Sequence, residues 1–544
     1  MSPFNTSELI SEDCLHLNIW TSSVSPTANM PVMFWIYGGS FIMGSATKQV
    51  DGYNIFDGTQ LALKDVVLVT ANYRLGVFGF LYGNSSDAPG NVGFWDQVMV
   101  MKWIKAEISK FGGNPNDVTI FGVSAGSGSV SAHVLSPVSR QLFSKGIMQS
   151  AATYQDRAPL EKALKFSKDF AANQNYFSTN ACPDTDWIKC LEGKSSDELN
   201  EAQNKVFYDK FTETGGVPFT PISGDQFMPR NCIPAIKESD FKTDVRLLIG
   251  HSAMEGVSFA RDFDDMFGLE GRYNPKQLSR VTRSQVYDDI KLFISKTDDL
   301  NGKIAGAYTD PFGADGTDQS RQLIRAAAHA YGDYVITCPT ILFGAELVRQ
   351  TAFKGTVYQY RLTYANSQSI SYDSYWAEAE HTDEQPLVFG RPLNEPENTW
   401  TQTDRKISQL FVDIWTDFAK NGKPSLNGTD WPQYGVESNG NPNLSYVELN
   451  PMLENSYVIH VNKYRGNDDP MLAFTSRLEK CIELNGEHVC SICGTKWTGI
   501  TWERQPKDYR QYHNEYPEDF WIIMICLISQ FVGGPYFVYL LDII

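Results

Sequence analysis

The chain has 544 residues and a formal net charge of −18, from 46 basic and 64 acidic side chains. A negative field of this size repels phosphate backbones, which argues against nucleic-acid binding. Hydrophobic residues make up 42% and charged residues 20%, which is the composition of a globular protein with a large core. The length fits several small domains or one extended α/β unit.

Strand-like and helix-like segments alternate along the chain. Short apolar runs predict buried strands at 31–37, 66–70, 118–121, 245–250 and 356–361. Apolar residues at helical spacing predict helices at 96–110, 127–135 and 407–418. The alternation predicts an α/β fold with a largely parallel sheet.

A glycine-rich loop, Tyr37-Gly38-Gly39-Ser40-Phe41, directly follows the first predicted strand. Glycine pairs occur in plain turns, but they also expose backbone N–H groups that can stabilise an oxyanion. These donors are relevant to catalysis only beside a nucleophile, because the oxyanion forms when a nucleophile attacks an ester carbonyl.

Gly122-Val123-Ser124-Ala125-Gly126 fits the pattern G-x-S-x-G between a predicted strand and a predicted helix. A nucleophile elbow needs this strand–turn–helix arrangement. Glycine has no side chain, so it allows the tight turn that lifts the serine hydroxyl over the sheet edge. We therefore predict Ser124 as the nucleophile and the N–H of Ala125 as an oxyanion donor. The alternative is a glycine-rich helix start without chemistry.

A serine hydroxyl needs a base, and the base needs an orienting acid. In this type of fold the acid follows the serine and the histidine comes last. We favour His381, in a polar loop, as the base, since His329 has an alanine-rich helical context and His133 lies on the helix behind the elbow. For the acid, Glu255 and Asp225 both follow strand-like runs.

The C-terminal part differs in composition from the rest. Residues 485–519 are polar and irregular, which predicts a spacer, and residues 520–541 form an uncharged apolar tail. The tail is long enough to cross a bilayer, and a lipid-anchor signal is the alternative.

The polar N-terminus lacks the apolar stretch of a signal peptide. The pair Cys490 and Cys493 is a weak zinc signal without a second pair, so we predict no metal and no cofactor.

Four segments resemble the type-B carboxylesterase and cholinesterase family. They are 12–20 (EDCLHLNIW), 72–81 (NYRLGVFGFL), 89–97 (PGNVGFWDQ) and 111–126 (FGGNPNDVTIFGVSAG). The resemblance runs from about Glu12 to about Cys481. It implies an esterase domain at 1–484 with the α/β-hydrolase fold, a mostly parallel central sheet flanked by helices, and a small-molecule ester as substrate.

The family resemblance also implies roles for individual residues. It implies Ser124 as nucleophile, Glu255 as acid, His381 as base, and Gly39, Ser40 and Ala125 as oxyanion donors. It implies the disulfides Cys182–Cys190 and Cys338–Cys481. Disulfides indicate an oxidising compartment, so we expect a secreted protein or one attached to the outer face of a membrane. The tripeptides at Asn5, Asn84, Asn427 and Asn443 are acceptor sequences for glycans in that compartment.

The chain also departs from the family pattern. It begins where family members already have an N-terminal portion, so Cys14 lacks its family partner and we expect a truncated chain. Val123 stands where the family usually has Glu, and Ser40 where it usually has Gly. The choline-stacking tryptophan has no counterpart, which favours a general carboxylesterase over a cholinesterase. The alternative function is a non-catalytic adhesion ectodomain like the neuroligins, which typically lose the serine retained here.

Overall fold

The computed structural model describes most of the chain up to residue 460. The described residues are 11–50, 52–153, 160–177, 180–183, 185–214, 217–294, 302–309, 319–426, 428–436, 442–452 and 457–460. The predicted spacer at 485–519 and the apolar tail at 520–541 lie outside them. None of the helices in these ranges combines the length and the hydropathy of a bilayer-spanning segment.

Nine strands of the described chain form one central sheet. They are β1 (Leu17–Trp20), β2 (Met30–Ile36), β3 (Val67–Ala71), β4 (Gly113–Val123), β5 (Lys145–Gln149), β6 (Arg246–Ser252), β7 (Thr356–Leu362), β8 (Tyr446–Leu449) and β9 (Tyr457–His460). Their order across the sheet is β1-β3-β2-β4-β5-β6-β7-β8-β9. The seven inner strands are parallel, and the edge strands β1 and β9 pair antiparallel with their neighbours.

Helices occupy most of the connections between these strands. The helices of the described chain are α1 (Thr59–Ala62), α2 (Gly76–Phe80), α3 (Val92–Glu107), α4 (Ala125–Leu135), α5 (Leu160–Ala172), α6 (Gln174–Phe177), α7 (Trp187–Glu192), α8 (Ser196–Thr214), α9 (Cys232–Lys237), α10 (Val257–Phe267), α11 (Arg283–Phe293), α12 (Lys303–Thr309), α13 (Ser320–Gly332), α14 (Cys338–Arg349), α15 (Gln385–Val388), α16 (Arg391–Asn394) and α17 (Gln402–Asn421). A π-helical segment, Asp333–Thr337, joins α13 to α14, and a 3₁₀ turn, Ile108–Phe111, follows α3.

Short two-stranded pairs lie outside the central sheet. They are Gln49–Val50 with Tyr53–Asn54, Ser425–Leu426 with Thr429–Asp430, and Gly435–Val436 with Pro442–Asn443.

The inner strands are largely buried on both faces, because helices cover the sheet. In β2, the side chains from Val32 to Ile36 are buried on both sides of the strand. Helices α4 and α17 pack on the sheet, and all eleven residues of α4 are buried. The predicted α/β fold with a mostly parallel sheet is confirmed.

The element boundaries differ from the predictions at helix ends. The helix predicted at 96–110 is α3, which begins at Val92 after Asn91 in the left-handed region (φ 54°) and gives way to the 3₁₀ turn. The helix predicted at 407–418 is α17. It begins earlier because the hydroxyl of Thr401 accepts from the N–H of Asp404, whose carboxylate accepts from the N–H of Thr401 in return.

Candidate active site

The predicted catalytic residues follow neighbouring parallel strands at their carboxyl ends, where ligand sites of such sheets lie. Ser124 follows β4 and Glu255 follows β6 by three residues. Backbone hydrogen bonds continue the sheet beyond the regular strands. The N–H of Ser124 donates to Gln149 O at 2.8 Å, and the N–H of Ser150 donates to Gly250 O at 2.8 Å. The ends of strands β4, β5 and β6, which lead to Ser124 and Glu255, are therefore held in fixed register.

Ser124 occupies a strained turn between β4 and α4. Its backbone angles are φ 57° and ψ −124°, a conformation that costs of order 1–3 kcal/mol for a residue with a side chain. The turn requires glycine on both sides. A Cβ on Gly122 would lie 2.4 Å from Ile36 O, and a Cβ on Gly126 would lie 1.9 Å from the same atom. The strand–turn–helix geometry that a nucleophile elbow requires is present, with the N-terminus of α4 directly behind Ser124.

Glu255 and His381 form a buried hydrogen-bonded pair. Nδ1 of His381 lies 2.6 Å from Oε2 of Glu255, and the carboxylate side chain is fully buried. The other oxygen, Oε1, accepts from the hydroxyl of Ser150 at 2.7 Å and from the N–H of Ser252 at 2.6 Å. Nε2 of His381 is buried and has no hydrogen-bond partner within the described residues. The imidazole therefore keeps one nitrogen available for a reacting proton.

The loop that carries His381 is joined to the loop that carries Glu255. The N–H of Met254 donates to Ala379 O at 2.8 Å, and Met254 forms a parallel β-bridge with Glu380. Gly256 lies so close to α13 that a Cβ there would meet Ala328 O at 1.9 Å. Glu255 and His381 are thus brought together by backbone contacts between their loops as well as by their own hydrogen bond.

The pKa values of this pair shift in the directions expected of an acid that steadies a base. Burial raises the pKa of Glu255, but the hydrogen bond and charge of His381 outweigh it and leave this pKa below its usual value. Burial lowers the pKa of His381, but the hydrogen bond and charge of Glu255 outweigh it and leave this pKa raised. The charges of Glu384 and Glu380 add to that increase.

Three further buried carboxyl groups lie on the His381 loop. Burial raises the pKa of Glu380 to about 7 and, aided by the charge of Glu255, raises the pKa of Glu384 to about 7. Burial and the charge of Glu380 raise the pKa of Asp383 well above its usual value. Sequence reasoning did not assign a role to these residues, because acidic residues in a polar loop are ordinarily solvated.

The predicted oxyanion loop has consecutive residues with positive φ. The values are 123° at Gly39, 55° at Ser40 and 63° at Phe41. The loop lies against the nucleophile, since a Cβ on Gly38 would come within 2.9 Å of Ser124 Cβ. Within the described residues, the N–H groups of Gly39 and Ser40 donate to no acceptor. The loop therefore presents unpaired backbone donors next to the serine.

The alternative residues lie in other settings. Asp225 accepts from the N–H of Met228 at 2.7 Å, within its own turn. His133 is buried in α4, where its ring nitrogens contact Ser139 and Gln97. His329 lies on α13. Sequence reasoning missed Ser150, whose hydroxyl donates to Glu255, because no local pattern marks it.

One of the two predicted disulfides lies within the described residues. Cys182 and Cys190 are bonded, with their Cα atoms 5.6 Å apart, as predicted. Cys481 lies outside the described residues, so the predicted Cys338–Cys481 bond stays a prediction. Cys14 is half-buried and unpaired among the described residues.

Comparison with known proteins identifies the family. The sequence model of the carboxylesterase family matches residues 1–459. The chain is 30% identical to acetylcholinesterase 1 of Caenorhabditis elegans over 84% of this chain and 72% of that protein. It is 31% identical to the acetylcholinesterase of Bungarus fasciatus (82% and 70%) and 31% identical to that of Danio rerio (80% and 71%). The chain belongs to the carboxylesterase family and is a serine-dependent hydrolase of carboxylic esters.

Proposed function

We propose that this enzyme cleaves esters through an acyl-serine intermediate, with Ser124 as nucleophile, His381 as base and Glu255 as acid. The observation that carries the proposal is the 2.6 Å contact between His381 Nδ1 and Glu255, together with an Nε2 atom that has no hydrogen-bond partner among the described residues. A base that is oriented at one nitrogen and open at the other is what serine activation requires.

The reaction follows from these groups. His381 Nε2 takes the hydroxyl proton of Ser124 as Oγ attacks the ester carbonyl carbon. The oxyanion that forms is stabilised by the N–H groups of Gly39, Ser40 and Ala125. The imidazolium, stabilised by Glu255, then gives its proton to the departing alcohol. A water molecule, deprotonated by His381, attacks the acyl-serine and releases the carboxylic acid.

Labelling with a fluorophosphonate tests the nucleophile. In this reaction Oγ of Ser124 bonds to phosphorus and fluoride leaves, so the protein gains the mass of the phosphonyl group at one site. We expect the adduct on the peptide that contains Ser124 and its absence in Ser124→Ala. The matched control is Ser127→Ala, three residues along α4, where the hydroxyl only donates to Ala151 O at 2.5 Å. A folded wild-type protein without an adduct contradicts the proposal and favours the adhesion alternative.

We further propose a general carboxylesterase with an uncharged ester as preferred substrate. Among the described residues, the ring of Phe259 contacts that of His381, with centroids 5.1 Å apart, and Phe259 also packs against Tyr331 at 5.2 Å. Because this ring packs against two other rings, we take it as part of the wall of the site and not as a face on which a quaternary ammonium group stacks. We expect a higher kcat/KM for phenyl acetate than for acetylthiocholine. The reverse order would assign the enzyme to the cholinesterases that it resembles.

We propose that the protein works outside the cytosol, because the Cys182–Cys190 bond requires an oxidising compartment. There Asn84 is an acceptor that a glycan can reach, since Asn84 and Ser86 are both exposed on one loop. We expect Asn84→Gln to abolish one glycosidase-sensitive mass shift.

We further propose attachment to a membrane through the tail at 520–541. Deletion of the tail should then move the enzyme from the membrane fraction to the soluble fraction.

A further inference from the structure

The segment 72–76 follows β3 and is part of one of the family-like motifs, yet none of its side chains takes part in the proposed chemistry. It lies beside the oxyanion loop, because β3 and β2 are neighbours in the sheet. The oxyanion loop is the continuation of β2, from Tyr37 to Ala46. The segment and the loop are connected by hydrogen bonds at both ends of the loop.

The first connection is a reciprocal pair of tyrosines. The hydroxyl of Tyr73 donates to Tyr37 O at 2.9 Å, and the hydroxyl of Tyr37 donates to Tyr73 O at 3.1 Å. The rings are stacked with centroids 4.5 Å apart, and both side chains are buried. The carbonyl held by Tyr73 belongs to the peptide bond that enters Gly38, so Tyr73 fixes the first peptide plane of the loop.

Two more hydrogen bonds hold the remainder of the loop. The N–H of Gly76 donates at 2.7 Å to the carbonyl of Phe41, the last of the three consecutive residues with positive φ. The N–H of Ala46 donates to the side-chain oxygen of Asn72 at 2.7 Å. The start, the middle and the end of the loop are therefore all tied to five consecutive residues.

The segment is itself anchored to helix α3. Arg74 donates to the buried carboxylate of Asp96 from its backbone N–H at 2.9 Å, from Nε at 2.8 Å and from a terminal nitrogen at 2.7 Å. A bidentate ion pair with a third hydrogen bond fixes orientation as well as distance. The segment 72–76 is thus firmly anchored and can act as a support for the oxyanion loop.

We propose that Tyr73 is a positioning residue for the oxyanion hole. The loop carries consecutive residues in a conformation that residues with side chains rarely adopt, and such strain persists only where surrounding contacts over-determine it. Loss of the Tyr73 hydroxyl leaves the Tyr37 carbonyl buried without a donor, and the loop relaxes toward other donors. The N–H groups of Gly39 and Ser40 then no longer point at the oxyanion. The inference rests on the proposed acyl-serine mechanism.

The test is Tyr73→Phe, which keeps the ring stacking and removes one hydrogen-bond donor. One oxyanion donor contributes about 10²–10³-fold to kcat, so partial misalignment of two should lower kcat roughly 10- to 100-fold. KM for an uncharged ester should change less than about threefold, because the loop stabilises the transition state and contributes little to binding of the ground-state ester. Affinity for a trifluoromethyl ketone, which binds Ser124 as an oxyanion, should fall in parallel with kcat.

The control is Tyr273→Phe, which removes an equally buried phenol hydroxyl that donates to Asp289 at 2.7 Å. We expect it to lower Tm while kcat and the trifluoromethyl ketone affinity stay within about threefold. Equal kinetic losses in both variants, or a Tyr73→Phe protein with normal kcat and normal ketone affinity, would overturn the proposal. Ser124→Ala separates the two levels of inference, because active Ser124→Ala protein contradicts the mechanism itself.

A second variant covers the case in which Tyr73→Phe does not fold. Asn72→Ala removes the acceptor for the N–H of Ala46 at the other end of the loop, where the site is only partly buried. We expect a several-fold parallel loss of kcat and of trifluoromethyl ketone affinity. Folded Asn72→Ala protein with both quantities unchanged would show that segment 72–76 does not align the loop.

Discussion

Two buried histidines, His133 and His381, differ in their neighbours and therefore in their chemistry. Both nitrogens of His133 are in hydrogen-bond contact with neutral groups, Ser139 Oγ at 3.0 Å and Gln97 Oε1 at 2.9 Å. Burial lowers the pKa of His133 to about 3, so this imidazole stays neutral. His381 instead contacts the carboxylate of Glu255, and its pKa is raised although its side chain is also largely buried.

The difference shows which neighbours favour protonation of a buried histidine. Neutral partners cannot compensate the loss of hydration of an imidazolium, whereas a carboxylate in contact with the ring can. A base also needs a nitrogen that the protein leaves open, and His133 has none. The helix behind Ser124 thus gives its histidine neutral partners, while the region around His381 collects buried carboxyl groups.

The strongest test of this comparison is His381→Ala. Without the imidazole, no group takes the proton of Ser124, and we expect kcat/KM for an ester to fall about 10⁴- to 10⁶-fold. Initial rates with p-nitrophenyl acetate, corrected for spontaneous hydrolysis, measure the effect. The thermal transition should remain cooperative. A loss of less than about tenfold would mean that another residue is the base.

The second test is Glu255→Gln, which keeps the shape of the acid and removes its charge. An amide cannot stabilise the imidazolium, and its N–H₂ group favours the wrong tautomer of His381. We expect kcat to fall about 10³- to 10⁴-fold, as for the corresponding change in a serine protease triad. The sharper comparison is Asp225→Asn, the alternative acid, which should leave kcat within a few-fold. A larger loss from Asp225→Asn would reverse the assignment.

The third test is His133→Ala, which addresses the other side of the comparison. The change removes two hydrogen-bond contacts and leaves a cavity in a fully buried part of α4. We expect the free energy of unfolding to fall by about 2–4 kcal/mol. Well below the melting temperature, kcat should stay within a few-fold of the original value. Denaturant titration and initial rates on the same sample separate stability from chemistry.

The strained turn at Ser124 could be predicted from sequence because its signal is local. Five residues of the elbow, flanked by a strand and a helix, contain the geometry of Ser124. Glu255 and His381 are 126 positions apart and meet only because β6 and β7 are neighbouring strands. Their assignment from sequence needed the family resemblance, since residue patterns alone left Glu255 and Asp225 as alternatives.

Parts of the fold were missed where buried strands carry polar residues. Strand β5 reads Lys-Gly-Ile-Met-Gln, which has no strand-like apolar run, yet all five residues are buried. Lys145 pairs with Asp117, and the side chain of Gln149 bonds to Trp415 and Glu384. Such partners come from distant segments, so no local pattern reveals that these polar side chains are satisfied in the core.

The smallest expected effect is a shift of the pH profile in Glu384→Gln. The charge of Glu384 contributes to the raised pKa of His381, and only the neutral imidazole acts as base, so activity falls as pH falls through this pKa. Removing the charge lowers the pKa of His381. The acidic limb of the kcat/KM profile should therefore move to lower pH, while the plateau changes little because glutamine can still contact Gln149.

The control for this shift is Asp430→Asn, which removes a fully exposed carboxylate paired with Lys423. Solvent and salt screen such a charge, so the profile should not move. A limb that moves to higher pH in Glu384→Gln, or that moves equally in both variants, would mean that the buried carboxyl groups do not set the titration of His381. In that case the contact with Glu255 alone would separate this histidine from His133.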